Sequence, residues 1–197
     1  MNIVIIGSGG REHALCYKLL KSSKINKIYC IPGNAGTDEI ATNIFADIND
    51  FDEIYKIVLK LNVELIVVGP EIPLVNGIVD YFEKKNIKIF GPNKKCSQLE
   101  GSKFFMKNIC KKYNIPSAKY FEISDINQIE KFLSSVSFPV VVKSDGLAAG
   151  KGVTICNNLD EVIKDVQEIL DGKFKSSNKV LSLIHISDPT RRTTISY

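Results

Sequence analysis

Short apolar runs alternate with amphipathic stretches along the first ninety residues of the chain. The apolar runs predict buried strands at Asn2–Ile6, Lys27–Ile31 and Glu64–Val68. Helical spacing of apolar residues predicts helices at Arg11–Lys21 and Phe51–Leu61. Strands that alternate with helices form a parallel sheet, so this half of the chain is predicted to be a doubly wound, Rossmann-like α/β domain.

The pattern changes after a further predicted helix at Asn76–Lys85 and a strand at Ile87–Phe90. From Cys96 onward the order becomes helix, strand, helix, hairpin, helix, which is typical of an α+β domain. These elements are predicted at Ser102–Tyr113, Ala118–Glu122, Ser124–Ser134, Pro139–Cys156 and Asn158–Leu170. Asn158 is predicted to cap the last of these helices. We therefore expect a domain boundary near Gly101.

The hairpin has a tip, Gly146–Gly152, that contains three glycines and two alanines between the strands Val140–Lys143 and Val153–Cys156. Glycine lets backbone N–H groups approach an anion without a Cβ in the way, and Lys143 and Lys151 add positive charge. The tip can therefore close over phosphates. The alternative is an ordinary glycine-rich turn with solvated lysines.

The tip is not a Walker phosphate loop. That motif needs four residues between its glycines, then Lys followed by Ser or Thr, and it opens a helix. Here three residues separate Gly146 from Gly150, Gly152 follows Lys151, and a strand comes next.

The loops at the carboxyl ends of the predicted parallel strands are also rich in glycine or proline. Parallel sheets of this kind bind ligands at that edge. Each loop alone could be a simple turn, but four at one sheet edge favour a site. They read GSGGRE (7–12), PGNAGT (32–37), GPEIP (69–73) and GP (91–92). A dinucleotide fingerprint would need glycine where Glu12 stands and a carboxylate after Ile31, so an NAD site is disfavoured. A phosphate monoester at the helix start beside Arg11 remains open.

The composition of the chain disfavours several classes of protein. The chain has 197 residues, 44% of them hydrophobic, and a net charge of +4 from 26 basic and 22 acidic residues. The lysines are scattered, so no stripe for nucleic acid or membrane stands out. Five cysteines form no CxxC pair and only two histidines are present, which disfavours a zinc site or a disulfide framework. With no signal-peptide pattern or membrane-length apolar stretch, we expect a cytoplasmic protein.

Six sequence blocks in order resemble the phosphoribosylamine–glycine ligase family, also called glycinamide ribonucleotide synthetase, of the ATP-grasp superfamily. The resemblance runs from Met1 to about Leu181, and the departure we note within a block is Ser144, where the family usually has alanine. The blocks are GSGGREHAL (7–15), PGNAGT (32–37), GPEIPLVNGIVD (69–80), EGSKFFMK (100–107), IPSAKY (115–120) and VVKSDGLAAGKGV (141–153).

The resemblance implies a reaction in purine biosynthesis. ATP, glycine and 5-phosphoribosylamine would give ADP, phosphate and glycinamide ribonucleotide through a glycyl phosphate, with Mg²⁺ or Mn²⁺. Lysines would neutralise the moving phosphoryl charge. Carried over by position, the ATP-binding residues would be Lys103, Lys143, Gly146, Gly150, Lys151 and Gly152.

The resemblance places phosphoribosylamine in the first domain. Gly9, Gly10 and Arg11 would lie near its phosphate, and Glu71 near its ribose or amine. Asn34 and Pro73 would also contact the substrate. For His13 we favour a packing role over catalysis. Asp145 either orients the glycine tip or caps its turn.

The resemblance also predicts three segments: a phosphoribosylamine-binding domain at 1–101, an incomplete ATP-grasp domain at 102–181, and a foreign tail at 182–197. The tail is similar to translated sequencing-adaptor or vector sequence. Arg11 is the only arginine in the first 190 residues, whereas Arg191 and Arg192 are adjacent. Family members continue well beyond this length and carry their metal ligands there. We therefore expect no metal ligand in this chain and no ligase activity from these residues alone.

Two other functions remain open. One is another ATP-grasp ligase of purine synthesis or carboxylation, against which GGREHA and PGNAGT argue. The other is a non-catalytic protein that binds a nucleotide or phosphosugar, marked by binding without turnover. Both readings keep small molecules as ligands, and none of these observations indicates an obligate protein partner.

Overall fold

We describe the fold from a computed structural model, using residues 1–118, 120–129, 137–147, 152–173 and 180–183. The chain divides into two compact units, 1–98 and 99–197. Each unit is described by itself.

The first unit is built on a five-stranded sheet in which every pair of neighbouring strands is parallel, in the order β3-β2-β1-β4-β5. Its strands are β1 (Asn2–Gly7), β2 (Lys27–Pro32), β3 (Thr42–Asn43), β4 (Val63–Val68) and β5 (Ile89–Phe90). The central strand β1 is buried from Ile3 to Gly7, because helices cover both faces of such a sheet. The predicted doubly wound parallel sheet is therefore confirmed.

Helices lie between successive strands and after β5, and two of them follow β4. They are α1 (Gly10–Leu19), α2 (Ala35–Asp38), α3 (Phe51–Lys60), α4 (Glu71–Asn76), α5 (Ile78–Glu83) and α6 (Lys94–Gly101). Ile54, Val58 and Phe82 pack with Ile66 in the larger core cluster. Cys16 packs with Ile3 and Ile28 in a second cluster.

The helix predicted at Asn76–Lys85 differs from the structure. A helix already begins at Glu71, just after Pro70, and Gly77 divides it from the next one. Gly77 has φ +97°, a left-handed conformation that ends α4 and costs glycine little. The short elements α2 and β3 were not predicted, because four and two residues are too few to show a periodicity.

The second unit holds an antiparallel four-stranded sheet in the order β6-β9-β7-β8. Its strands are β6 (Tyr120–Ile123), β7 (Val140–Ser144), β8 (Val153–Cys156) and β9 (Val180–Leu183), and its helices are α7 (Lys103–Lys112) and α8 (Leu159–Leu170). The hairpin of β7 and β8 is confirmed. The helix predicted at Ser124–Ser134 extends into residues outside the described ranges.

Helix α8 covers one face of this second sheet. Val162, Val166 and Ile169 lie on its inner side and pack with Val140 and Val142 of β7. Asn158 caps α8 by accepting a hydrogen bond from the Glu161 N–H at 3.0 Å, as predicted from the sequence. Within the residues that the structure describes, no helix has the length and apolar character needed to cross a membrane.

Candidate functional site

The first candidate site lies at the carboxyl edge of the parallel sheet, where β1 passes through a glycine turn into α1. Helix α1 begins at Gly10, so the N–H groups of Gly10 and Arg11 have no acceptor within the helix. The positive end of the helix dipole lies at the same place. These amides, with the Arg11 side chain, form an anion-binding arrangement.

Glu12 lies beneath this turn and was not predicted to be part of the site. Its side chain is 4% exposed, and its Oε2 accepts a hydrogen bond from the Gly9 N–H at 2.6 Å. A Cβ built on Gly69 would lie 1.9 Å from Glu12 Oε1, and one on Gly7 would lie 2.7 Å from Glu12 Cδ. The Glu12 carboxylate therefore fills space that glycines on two loops leave open, and it removes the Gly9 amide from the set available to a ligand.

Arg11 joins the same two loops from the exposed side. Its Nη1 donates to the Gly69 carbonyl oxygen at 2.7 Å, and its Nη2 donates to Glu71 Oε1 at 3.1 Å. The pKa of the Glu71 carboxyl is lowered, first by a hydrogen bond from its own backbone N–H and also by Arg11. Glu71 is therefore a carboxylate at neutral pH, beside the cation that would hold an anion.

A cavity of about 340 Å³ opens between these loops. It is lined by Gly7, Ser8, Gly9, Gly10, Arg11, Glu12, Ile48, Pro70 and Glu71. It therefore brings together four of the six residues predicted to bind the phosphosugar. One end of the cavity presents amides and a guanidinium, and a carboxylate lies beside them.

Asn34 supports the glycine turn from the neighbouring loop. Its Nδ2 donates to the Ser8 carbonyl oxygen at 2.8 Å, and its Oδ1 caps α2 by accepting from the Thr37 N–H at 2.9 Å. Asn43 Nδ2 donates to the Asn34 carbonyl oxygen at 2.8 Å. The Asn34 side chain thus fixes the shape of the turn, a role that the sequence pattern did not separate from substrate contact.

Two other residues named in the sequence analysis, Pro73 and His13, lie in packed positions of this unit. Pro73 is buried in α4, two residues beyond Glu71. His13 is half-buried on α1, and a Cβ built on Gly36 would lie 3.2 Å from its Cε1. His13 therefore packs against α2, in agreement with the role that we favoured for it.

The second candidate site lies in the second unit, where β7 ends and α7 begins. Asp145 Oδ1 accepts hydrogen bonds from the N–H groups of Lys103 at 2.7 Å and Phe104 at 3.3 Å, and the Ser102 hydroxyl lies 3.1 Å from Oδ2. Ser102 Oγ in turn accepts from the Phe105 N–H at 3.1 Å. Asp145 thus caps α7, a partner 42 positions away that no local pattern could indicate.

Lys103 and Lys143 lie near each other at this junction. Lys103 Nζ donates to the Gly146 carbonyl oxygen at 2.8 Å. Burial lowers the pKa of the Lys103 ammonium, the Asp145 carboxylate raises it, and the nearby Lys143 lowers it again. Two cations are therefore held close together at the entrance to the glycine tip, as a polyphosphate site requires.

The glycine tip itself is described at its two ends. Gly146 has φ +81°, which glycine adopts at little cost, and the Ser144 N–H donates to the Gly152 carbonyl oxygen at 3.0 Å. The predicted ATP contacts Gly150 and Lys151 lie outside the described residues.

Ser144 supplies a test of the local packing. It is fully buried, and its hydroxyl has no hydrogen-bond partner among the residues that the structure describes. We expect Ser144→Ala to raise the free energy of unfolding by about 1–2 kcal/mol, because it removes a buried, unsatisfied hydroxyl. Urea unfolding followed by circular dichroism would measure this, with Ser137→Ala, at an exposed position, as the control. A lower stability for Ser144→Ala would contradict this account.

The chain matches the models of two successive domains of one protein family. Residues 1–100 match the phosphoribosylglycinamide synthetase N domain, and residues 101–184 match the phosphoribosylglycinamide synthetase ATP-grasp (A) domain. The chain belongs to the phosphoribosylglycinamide synthetase family. The family predicted from the six sequence blocks is therefore confirmed, and so is the fold class. The second match and β9 both extend past residue 182, where we placed the start of the foreign tail.

Relatives with this family name are similar across most of the chain. It is 43% identical over 175 residues to a phosphoribosylamine–glycine ligase of Caldanaerobacter subterraneus, covering 89% of this chain and 41% of the relative. It is 44% identical over 179 residues to the bifunctional purine biosynthetic protein purD of Dictyostelium discoideum, covering 89% of this chain and 22% of that relative. The chain thus spans about two fifths of the length of a monofunctional relative.

A solved structure agrees with these similarities. The crystal structure of phosphoribosylamine–glycine ligase from Thermotoga maritima aligns with a TM-score of 0.74 at 29% identity, covering 95% of this chain and 44% of the other. The fold of this chain is therefore similar to that of a protein of this name.

Proposed function

We propose that this chain carries the phosphosugar-binding part and a portion of the ATP-binding part of an enzyme that ligates glycine to 5-phosphoribosylamine. The observation that carries the proposal is the cavity in which the Gly10 and Arg11 amides and the Arg11 guanidinium lie beside the Glu71 carboxylate. The amides and the guanidinium are groups that bind a phosphate monoester, and the carboxylate is a group that binds an amine.

In this proposal the phosphate of phosphoribosylamine binds at the start of α1. The charge of this phosphate would attract the Arg11 guanidinium, whose Nη2 lies 3.1 Å from Glu71 Oε1 in this structure. Glu71 would then be free to accept a hydrogen bond from the ribose or the amine. Gly9 contributes the shape of the turn, because its amide is occupied by Glu12.

The ligation proceeds in two steps. An oxygen of the glycine carboxylate attacks the γ-phosphorus of ATP, and ADP leaves, giving glycyl phosphate. The amine nitrogen of phosphoribosylamine then attacks the glycyl carbonyl carbon, phosphate leaves, and the nitrogen loses a proton. Lys103 and Lys143 neutralise charge on the phosphoryl oxygens, and the glycine tip, with Gly146, Gly150, Lys151 and Gly152, covers the phosphates.

ATP-grasp ligases as a class use ATP with Mg²⁺ or Mn²⁺, so we propose one of these ions as the cofactor. In the described part of the chain, no group of three or more His, Cys, Asp or Glu side chains could hold a metal ion. We therefore assign no metal ligand to these residues and route no step of the reaction through one.

Binding of ribose 5-phosphate to the purified chain tests the phosphosugar site. We expect Arg11→Met to weaken binding by about tenfold or more, because a hydrogen bond to a charged group contributes about 1.5–3 kcal/mol. Isothermal titration calorimetry would measure the affinity, and Lys18→Met, exposed in the last turn of α1, is the control for net charge. Equal losses in both variants would refute a specific site.

Binding of ATP tests the second site separately. We expect Lys103→Met to reduce the affinity for ATP and to leave that for ribose 5-phosphate unchanged, since Lys103 belongs to the second unit. Binding of both ligands by a full-length relative without turnover would favour a non-catalytic binding protein instead.

A further inference from the structure

Asp145 holds together two elements that are far apart in the chain. It follows the last residue of β7, is only 9% exposed, and accepts hydrogen bonds from the first two amides of α7. Ser102 satisfies the next amide with its hydroxyl and the following one, of Met106, with its carbonyl oxygen. The N–H groups of the first three residues of α7 are therefore paired with side chains of this chain, so none of these three is left for an external anion.

Lys103 is attached to this junction at both ends. Its backbone N–H donates to Asp145, and its side-chain Nζ donates to the carbonyl oxygen of the next residue, Gly146. The two hydrogen bonds close a ring between one residue of α7 and two consecutive residues at the entrance to the glycine tip. Neither segment can shift without breaking several of these bonds.

We propose that Asp145 is a positioning residue for ATP binding, which fixes Lys103 and the first residue of the glycine tip to each other before a nucleotide arrives. This inference rests on the proposed ATP site. A bound polyphosphate would replace the Gly146 carbonyl oxygen as the hydrogen-bond acceptor of the Lys103 ammonium. Asp145 would keep the backbone of Lys103 in place during this change. Holding the cation in advance lowers the ordering cost of binding.

A purely structural cap would behave differently. Ser102 also caps α7, but it is neutral, whereas Asp145 places a negative charge beside the Lys103 ammonium. Among the residues that the structure describes, Lys143 of β7 and Glu100 of α6 also act on this ammonium. Removing the Asp145 charge should therefore change the titration of Lys103. Removing the Ser102 hydroxyl takes one hydrogen bond from the Asp145 carboxylate but keeps its charge, so it should leave the titration of Lys103 in place.

The experiment is a pH titration of the Lys103 Nζ resonance by NMR in the full chain, assigned with Lys103→Arg. We expect the midpoint to move to lower pH in Asp145→Asn, because the carboxylate that raises the pKa of the Lys103 ammonium is then gone, while burial and Lys143 still lower it. In Ser102→Ala the midpoint should stay in place. An unchanged midpoint in Asp145→Asn, or an equal change in Ser102→Ala, would overturn the proposal.

Two further measurements keep the result decisive. In the unaltered chain, amide hydrogen exchange at Lys103 and Phe104 should be slow for first-turn residues, and fast exchange at both would also overturn the proposal, even if Asp145→Asn fails to fold. ATP affinity should fall about tenfold in Asp145→Asn but not in Ser102→Ala. If the unaltered chain binds no ATP, the proposed ATP site fails and Asp145 has no role in it, whereas the Lys103 titration still decides whether Asp145 acts on the Lys103 ammonium.

Discussion

Replacing Gly69 with alanine is expected to lower the free energy of unfolding by about 3 kcal/mol or more. The added Cβ would lie 1.9 Å from Glu12 Oε1 and 2.6 Å from Glu12 Cδ. The Glu12 side chain cannot simply turn aside, because it is buried and its other oxygen accepts the Gly9 N–H at 2.6 Å. Gly69 does not have a left-handed φ, so the cost comes from this contact.

A double-mutant cycle with Glu12→Ala separates the contact from other effects. Glu12→Ala alone should cost about 1–3 kcal/mol, and Gly69→Ala should then add about 1 kcal/mol or less, because the clashing carboxylate is gone. Gly10→Ala is the matched control, since a Cβ there meets nothing within 4 Å. Denaturant unfolding measures all four stabilities. Strict additivity of the two changes would contradict the contact.

This contact also explains why the sequence disfavoured a dinucleotide site. A fingerprint glycine at position 12 would leave room beneath the turn, whereas Glu12 fills it and takes up the Gly9 amide. The substitution was visible in the sequence, but its consequence for the turn was not. That consequence depends on Gly69, which lies 57 positions away and reaches the turn only through the parallel pairing of β1 with β4.

The hydrophobic pattern predicted those strands and helices in which several apolar residues recur at one periodicity. The strand β4 and the helix α8, with its Asn158 cap, are of this kind, since their apolar positions recur at regular spacing. The start of α4 at Glu71 was missed because Pro70 and Pro73 made residues 69–73 resemble a loop, although proline is also compatible with the first turn of a helix.

The candidate sites were predicted as sets of loops, and only partly as residues. Parallel strands end at one edge, so the glycine turn and the loop of Glu71 could be placed together from sequence. The functions of Asn34 and Asp145 could not, because each acts by hydrogen bonds to a distant backbone. Long-range partners leave no spacing signal in one sequence.

The network behind Asn34 gives the second large expected effect. Thr37 is fully buried, and its Oγ1 accepts the Asn34 N–H at 2.7 Å and lies 2.8 Å from Asn43 Oδ1. Thr37→Val keeps the shape but leaves that N–H and that oxygen without their partner. We expect it to lower the free energy of unfolding by about 2–4 kcal/mol, because each buried polar group left unpaired costs about 1–3 kcal/mol.

The same substitution should weaken the binding of ribose 5-phosphate, because Asn34 holds the Ser8 carbonyl at 2.8 Å and thereby the turn that carries Gly10 and Arg11. Thr37→Ser keeps the hydroxyl and should retain most of the affinity, whereas Thr42→Val, at an exposed position, should change stability by about 0.5 kcal/mol or less. Calorimetry and denaturant unfolding of the three variants measure both effects. If Thr37→Val binds as the unaltered chain does, Asn34 does not shape the site, since the turn would then hold its geometry without the network behind it.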